Sequence, residues 1–326
     1  MQQLGLLDDA PALDKPGKGT VEPANTDQTV RTLAARLGPR LRLGTSSWSF
    51  PGWAGLVYAE RATKPSLSRD GLSAYARHPL LRTVGVDSGF YAPLDARRLA
   101  RYAAQVPADF RFLVKAPAAV TDRFRRDAQG RARQPNPGFL TARVALEQAV
   151  DPYLAGLGDR AGVLLFQFPP LGRQVTDNPR QFAEELYRFL RRLPAGPVYA
   201  VELRDAELLT PDLAAALHHG NATAGLAGHP RLPDLAVQRD LFEGSVHGPL
   251  VVRWLLRRNR GYGEARDRYF PFDRLAEPDP DTRDAVADLI RAALADGRDV
   301  FIIVNNKAEG SSPLTLIELA RCLVAP

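Results

Sequence analysis

Charged side chains stand at the ends of several apolar stretches in this sequence. Glu202 and Arg204 end one stretch, Lys115 closes another, and Arg253 lies near the end of a third. A carboxylate can exchange protons with a substrate, and cations can stabilise negative charge that develops in a transition state. We therefore predict three catalytic residues: Glu202 as general acid/base, with Lys115 and Arg253 as the electrostatic groups.

Other polar and aromatic residues occupy similar positions and are predicted to bind the substrate together with Arg204. Asn305 and Asn306 are adjacent at the end of the apolar stretch 300–304. Because successive side chains on a strand point to opposite faces, only one of the two can enter a shared site. The other should hydrogen-bond the following loop. The full predicted binding set is Trp48, Asp87, Tyr91, Gln167, Arg204, Asn305 and Asn306.

Eight apolar stretches are predicted as β-strands, and most are followed by a helical pattern. Strands continuous in Val, Leu and Ile are typical of a parallel sheet covered by helices, and eight is the number that closes it. The predicted strands are 41–46, 81–87, 110–115, 162–168, 198–203, 222–226, 250–255 and 300–304, and the clearest helices are 95–105, 140–157, 180–193, 211–219, 282–294 and 314–324.

The predicted fold is therefore an α/β, (β/α)8 TIM barrel in a single domain. A doubly wound open sheet is the alternative, but Gly44-Thr45-Ser46-Ser47-Trp48 stands where that fold carries Gly-x-Gly-x-x-Gly. We assign residues 41–326 to the barrel. Residues 1–40, rich in Pro, Gly and Asp, are predicted to be a flexible extension with a short helix at 26–37.

In such a barrel the carboxyl ends of the strands meet at one mouth, which is where active residues are expected. Lys115, Arg204 and Arg253 there outnumber the acids Asp87 and Glu202. The surplus positive charge predicts a small anionic ligand, such as a phosphate or carboxylate. The helix start at 310–313 is expected to add free backbone N–H groups for the anion.

Composition narrows the class of protein. The 326 residues are 45% hydrophobic and 25% charged, which suits a large buried core, and no stretch is apolar enough to span a membrane. A lone cysteine, Cys322, excludes an internal disulfide framework, and the five histidines are scattered. We accordingly predict a cytoplasmic protein with no metal and no cofactor. The oligomeric state is left open.

Two arginine-rich segments, 122–138 and 257–268, leave alternatives open, since the formal net charge is +6 and the isoelectric point about 9.6. They are either solvated charge runs or anion-binding loops. One alternative function is a nucleic-acid-binding or damage-processing protein in which Trp48 and Tyr91 stack a base. Another is a non-catalytic anion sensor. Glu202 with Arg204 is also compatible with a structural ion pair, and Trp48 with simple loop packing.

Five further motifs occur in order along the chain: LGTSSWSFPGW (43–53), FRFLVKAP (110–117), GVLLFQFPP (162–170), AVELRD (200–205) and VNNKAEGSSP (304–313). Together they resemble the motifs of the domain-of-unknown-function-72 family, also called YecE-like. The resemblance spans residues 41–326 and implies a TIM barrel without an established activity. The chain differs from the family at Gly85 and Asp87, where the family commonly has an acid and an asparagine, and at Asp122, where a histidine is common. Family-typical positions carried here are Trp48, Tyr91, Lys115, Gln167, Glu202, Arg204, Arg253, Asn305 and Asn306.

Overall fold

Eight parallel strands close into a barrel, which confirms the predicted fold. The computed structural model describes residues 20–127, 129–244 and 248–325. The barrel order is β1-β10-β9-β8-β7-β6-β3-β2, while β4 and β5 form a separate antiparallel hairpin. The strands are β1 (Leu41–Thr45), β2 (Leu81–Val86), β3 (Arg111–Lys115), β4 (Phe124–Arg126), β5 (Ala132–Pro135), β6 (Ala161–Gln167), β7 (Tyr199–Glu202), β8 (Ala222–Gly228), β9 (Leu250–Trp254) and β10 (Val300–Val304).

Helices cover the outer face of the barrel, and each predicted helix is present. The predicted helix 140–157 contains a π-helical turn at Leu146–Val150 between two α-helices. The helices are α1 (Gln28–Arg36), α2 (Lys64–Asp70), α3 (Leu72–Tyr75), α4 (Ala96–Ala103), α5 (Ala118–Thr121), α6 (Ala142–Ala145), α7 (Asp151–Leu157), α8 (Arg173–Thr176), α9 (Pro179–Leu190), α10 (Pro211–His219), α11 (Leu235–Phe242), α12 (Tyr262–Tyr269), α13 (Pro280–Ala295) and α14 (Ser312–Val324).

The interior of the barrel is filled by its own apolar cluster, separate from the larger core between strands and helices. Its buried members are Leu113, Val163, Leu165, Ala200, Val251, Phe301 and Ile303. Because side chains alternate along a strand, the residue two positions beyond the last apolar member of each strand points the same way. Those residues are Lys115, Gln167, Glu202, Arg253 and Asn305. The strands therefore place a polar layer directly above the apolar floor.

The short helix predicted within the N-terminal extension is α1. Asp27 caps it by accepting a hydrogen bond from the Thr29 backbone N–H, and Val30 and Leu33 are buried where the helix packs near α14. Most of the segment predicted to be flexible, residues 1–19, lies outside the described residues.

Both arginine-rich segments contain regular structure that their charge pattern did not predict. In the first, β4 and β5 form the hairpin, and the Asp127 carboxylate accepts the backbone N–H groups of Gln129 and Arg131 at its turn. In the second, α12 begins at Tyr262. Turn-forming acids and tertiary packing thus give regular structure to segments whose sequence pattern indicated only runs of solvated charge.

No helix within the described ranges is long and apolar enough to cross a membrane.

Candidate active site

Four charged side chains form a continuous ion-pair network above the barrel floor. Glu202 Oε1 lies 2.5 Å from Arg204 Nη2, and Glu202 Oε2 lies 3.1 Å from Arg253 Nη1. The other end of Arg253 reaches Asp87, with Nη2 donating to both carboxylate oxygens at 3.0 and 2.8 Å. These residues, together with the adjacent Lys115, are called the mouth cluster below. The ion pair between Glu202 and Arg204, one of the two interpretations of these residues, is present.

The mouth cluster is closed off from solvent. Its exposed fractions are 0% for Glu202, 2% for Arg253, 3% for Lys115, 4% for Arg204 and 9% for Asp87. Removing so many charges from water is costly unless they are paired or hydrogen-bonded, and this explains why each carboxylate of the cluster is bound by an arginine.

Lys115 is the member of the cluster whose charge is least stable. Its Nζ lies 3.7 Å from the centroid of the Phe90 ring. Burial lowers the pKa of Lys115 from 10.5 to about 7, and the positive charges of Arg253 and Arg204 lower it further, against the opposing effect of Asp87 and Glu202. Near neutral pH the charged and the neutral forms of the amine are therefore both populated.

The polar atoms left over in the cluster and beside it are all hydrogen-bond donors. Among the described side chains, Gln167 Nε2, Arg204 Nε and Nη1, and Arg253 Nε are buried without a hydrogen-bond partner. Both oxygens of Glu202 and both oxygens of Asp87 already accept from arginines. Since buried polar groups normally find partners, a surplus made only of N–H donors favours a ligand that brings acceptor oxygens.

Asn305 and Asn306 divide their tasks in the way that strand alternation predicts. Asn305, at the inward position, donates from Nδ2 to Ser46 Oγ at 2.8 Å and so joins the ends of β10 and β1. Asn306 is fully buried on the other side, where its Oδ1 accepts from Trp53 Nε1 and from the backbone and hydroxyl of Ser312. Asn306 therefore organises the loop, and Asn305 belongs to the barrel mouth.

The prediction that the start of α14 offers free backbone N–H groups to an anion is wrong. The Ser312 N–H donates to the Asn306 side chain, and the Gly310 N–H donates to the Asn306 carbonyl oxygen at 2.8 Å. Residues 308–313 are buried. The loop folds back on Asn306 and uses these donors itself. Gly310 fits this loop because its φ is +121°, and a Cβ there would lie 2.5 Å from Ala276 N and from Arg274 O.

The aromatic residues predicted to bind substrate are placed differently from the charged ones. Trp48 donates from its indole Nε1 to the Leu67 carbonyl at 3.1 Å and packs edge-on against Tyr102 of α4, so it lies on the helix side of the barrel wall. The structure does not bring Trp48 to the mouth cluster. Tyr91 is 38% exposed and packs edge-on against Phe90. It therefore lies one residue from the ring that contacts Lys115.

Two residues near the cluster were not predicted from sequence. Phe90 ends the short 3-10 turn that begins at Asp87. This turn places the Phe90 ring over Lys115 Nζ. His229 follows β8, and its pKa is lowered to about 3 by burial and by the charges of Arg204 and Arg231. Neither residue could be identified from the sequence as part of a site, because an isolated phenylalanine and a loop histidine are common in any sequence.

The arginines of the two basic segments are largely bound within the protein. In segment 122–138, Asp122 pairs with one arginine and Asp127 with two, while another donates to Gln174. In segment 257–268, Glu277 pairs with both Arg260 and Arg268. The other ion pairs of that segment are Arg257 with Asp279, Arg258 with Asp234, Arg260 with Glu264, and Arg266 with Asp267.

Across the described ranges, no group of three His, Cys, Asp or Glu side chains is arranged to hold a metal ion.

Comparison with known proteins identifies relatives of the same fold. No curated protein matches. A DUF72 family protein from Thermotoga maritima superposes with a TM-score of 0.57 at 19% identity, covering 87% of this chain and 99% of that one. A DUF72 family protein from Enterococcus faecalis gives 0.54 at 16% identity, covering 88% and 96%. The model of the family described as "Protein of unknown function DUF72" matches residues 42–325. The chain therefore belongs to the DUF72 family.

Proposed function

We propose that this protein is an enzyme of the hydrolase or lyase type that acts on a small anionic substrate, bearing a carboxylate or phosphate, at the carboxyl-terminal mouth of the barrel. The observation that carries the proposal is the mouth cluster, with its buried cations and its unpartnered N–H donors on Gln167, Arg204 and Arg253. The location agrees with the general position of active sites in this fold, an argument by analogy. The single cysteine is compatible with a cytoplasmic setting.

Within this proposal the geometry favours exchanging the roles that the sequence suggested for Glu202 and Lys115. Glu202 is held by Arg204 and Arg253 and is fully buried, which suits a group that fixes the two guanidinium groups in place. Lys115, with a pKa of about 7, is suited to move a proton near neutral pH. The positive charges of Arg253 and Arg204 stabilise the anion, and Gln167 and Asn305 lie beside them.

Substrate entry requires a change in the residues above the cluster, because no cluster member is more than 9% exposed. Phe90 contacts Lys115 directly, and the neighbouring Tyr91 reaches solvent. We assign to Tyr91 and Phe90 the role of the cover that moves when the anion binds.

A substrate screen tests the proposal. Phosphoesters, sugar phosphates and small carboxylates are incubated with the parent protein and with Lys115→Met, Glu202→Gln and Lys64→Met. The last variant is a matched control, since Lys64 lies at the start of α2. We expect turnover that is lost in the first two variants and kept in the control. Turnover that survives both cluster substitutions would remove these residues from the mechanism.

The two alternative functions rest on weaker support. Nucleic-acid binding through segments 122–138 and 257–268 requires arginines available to phosphates, and most of these arginines are ion-paired within the protein. A non-catalytic anion sensor would use the same mouth cluster. The screen separates it from an enzyme, because a sensor binds the anion without changing it.

A further inference from the structure

The amine of Lys115 stands in surroundings that suit a nucleophile. It lies at the carboxyl end of β3, 97% shielded from solvent, with the Phe90 ring 3.7 Å from Nζ. The nearby carboxylates of Asp87 and Glu202 have their oxygens bound by Arg204 and Arg253. A buried amine placed beside guanidinium groups is disfavoured as an ammonium ion, although the face of the Phe90 ring attracts the cation, and a neutral lysine amine is the form that attacks carbonyl carbon.

We propose that Lys115 forms a Schiff base with a small carbonyl compound that also carries a carboxylate or phosphate. This inference rests on the proposed function. The anionic group of the proposed substrate becomes the carboxylate or phosphate of a carbonyl compound. The unpartnered N–H groups of Arg204 and Arg253 would hold the anionic end, and Gln167 Nε2 is a further donor for the carbonyl oxygen.

The step is balanced without any further reactant. The lone pair of the neutral Lys115 amine forms a C–N bond to the carbonyl carbon, and the carbonyl oxygen takes up a proton as the nitrogen loses one, which gives a carbinolamine. Loss of water breaks the C–O bond and leaves the imine, and addition of water reverses the sequence. When the imine is protonated, Asp87 and Glu202 offset part of the cost that burial, Arg253 and Arg204 impose on its positive charge.

Position in the fold separates Lys115 from the other described lysines. Lys307 is also buried, but its Nζ lies between the rings of Tyr262 and Phe272 at 4.3 and 5.7 Å, within the structural loop after β10. Lys64 lies at the start of α2, on the outer layer of the barrel. Lys115 alone among these three combines burial with a place in the barrel mouth beside arginines that can hold an anion.

Reductive trapping tests the inference. The protein is incubated near neutral pH with pyruvate or dihydroxyacetone phosphate and cyanoborohydride, with acetone as an uncharged carbonyl control, and adducts are located by peptide mass mapping. We expect an adduct at Lys115 that exceeds the adduct at Lys64 by at least about tenfold, since an ordinary lysine is almost wholly protonated at that pH. Phosphate should compete with it, and acetone should give little.

Lys115→Met and Lys115→Arg serve as paired variants, each checked for folding by circular dichroism. Loss of the dominant adduct in either folded variant supports the assignment. If neither variant folds, competition by phosphate at Lys115 in the parent protein decides the matter. Calorimetric titration with phosphate separates the two proposals. Phosphate binding without a Lys115 adduct overturns the Schiff base and leaves the anion site, whereas absence of both overturns the proposed function as well.

Discussion

Replacement of Lys115 by methionine should stabilise the protein at neutral pH, and the gain should shrink as the pH rises. Lys115 is 3% exposed, and burial lowers its pKa from 10.5 to about 7. Methionine keeps a long apolar side chain in the same space but carries no charge. The substitution therefore removes the cost of placing an ammonium group beside Arg253 and Arg204.

The direction and the size of this pH dependence follow from proton linkage. Between the folded pKa and the unfolded pKa the unfolded chain binds more protons at Lys115, so stability rises with pH across this window. The free-energy cost of burying the Lys115 ammonium group is fully present below about pH 7 and absent above about pH 10.5. From about pH 7 to about pH 9, a shift of this size reduces the cost by roughly 2 kcal/mol. The advantage of the methionine variant should fall by the same amount.

Urea unfolding of the parent, Lys115→Met and Lys64→Met at several pH values between about 7 and 9 measures this difference. Effects of pH on the rest of the protein cancel when each variant is compared with the parent at the same pH. A pH-independent difference for Lys115→Met would refute the reasoning about its charge. A loss of stability above roughly 3 kcal/mol at neutral pH would instead make Lys115 a required partner of a structural ion network.

Three further substitutions test the rest of the site by the same unfolding assay. Glu202→Gln should cost about 3–5 kcal/mol, because two buried arginines lose a carboxylate, and no measurable loss would show that the network is not held by Glu202. Asn306→Ala should cost about 2–4 kcal/mol by leaving donors of Ser312 and Trp53 unsatisfied, while phosphate affinity stays unchanged. Gly310→Ala should cost at least about 2 kcal/mol because of its positive φ and the close backbone of Ala276, and a variant as stable as the parent would contradict the loop geometry.

The barrel and the direction of its inward side chains could be predicted from the sequence because they depend on local patterns. Continuous apolar runs mark parallel strands, and strict alternation fixes which side of the strand each residue faces. This rule alone places Lys115, Glu202 and Arg253 on one side, and it separates Asn305 from Asn306. Both results agree with the structure.

The full ion-pair network of the mouth cluster and its burial from solvent could not be predicted, because they depend on where long side chains meet in three dimensions. Arg253 bridges Asp87 and Glu202, which lie 166 and 51 residues away in the chain. Nothing local to Phe90 indicates that its ring lies over Lys115. The start of α14 has the sequence of an anion-binding turn, yet Asn306 takes up its donors. Short motifs thus state which groups are present but not which of them are already bound.

Co-crystallisation of the protein with phosphate is the decisive test of an anion site in the barrel mouth. We expect one phosphate there, with its oxygens accepting from Arg204 Nη1 and Gln167 Nε2, and with Phe90 displaced from Lys115. Arg204→Gln should lose that phosphate under the same conditions. A parent structure that binds phosphate only at the surface, for example beside the arginines of segments 122–138 or 257–268, with the mouth cluster still closed, would contradict an anion site in the barrel mouth.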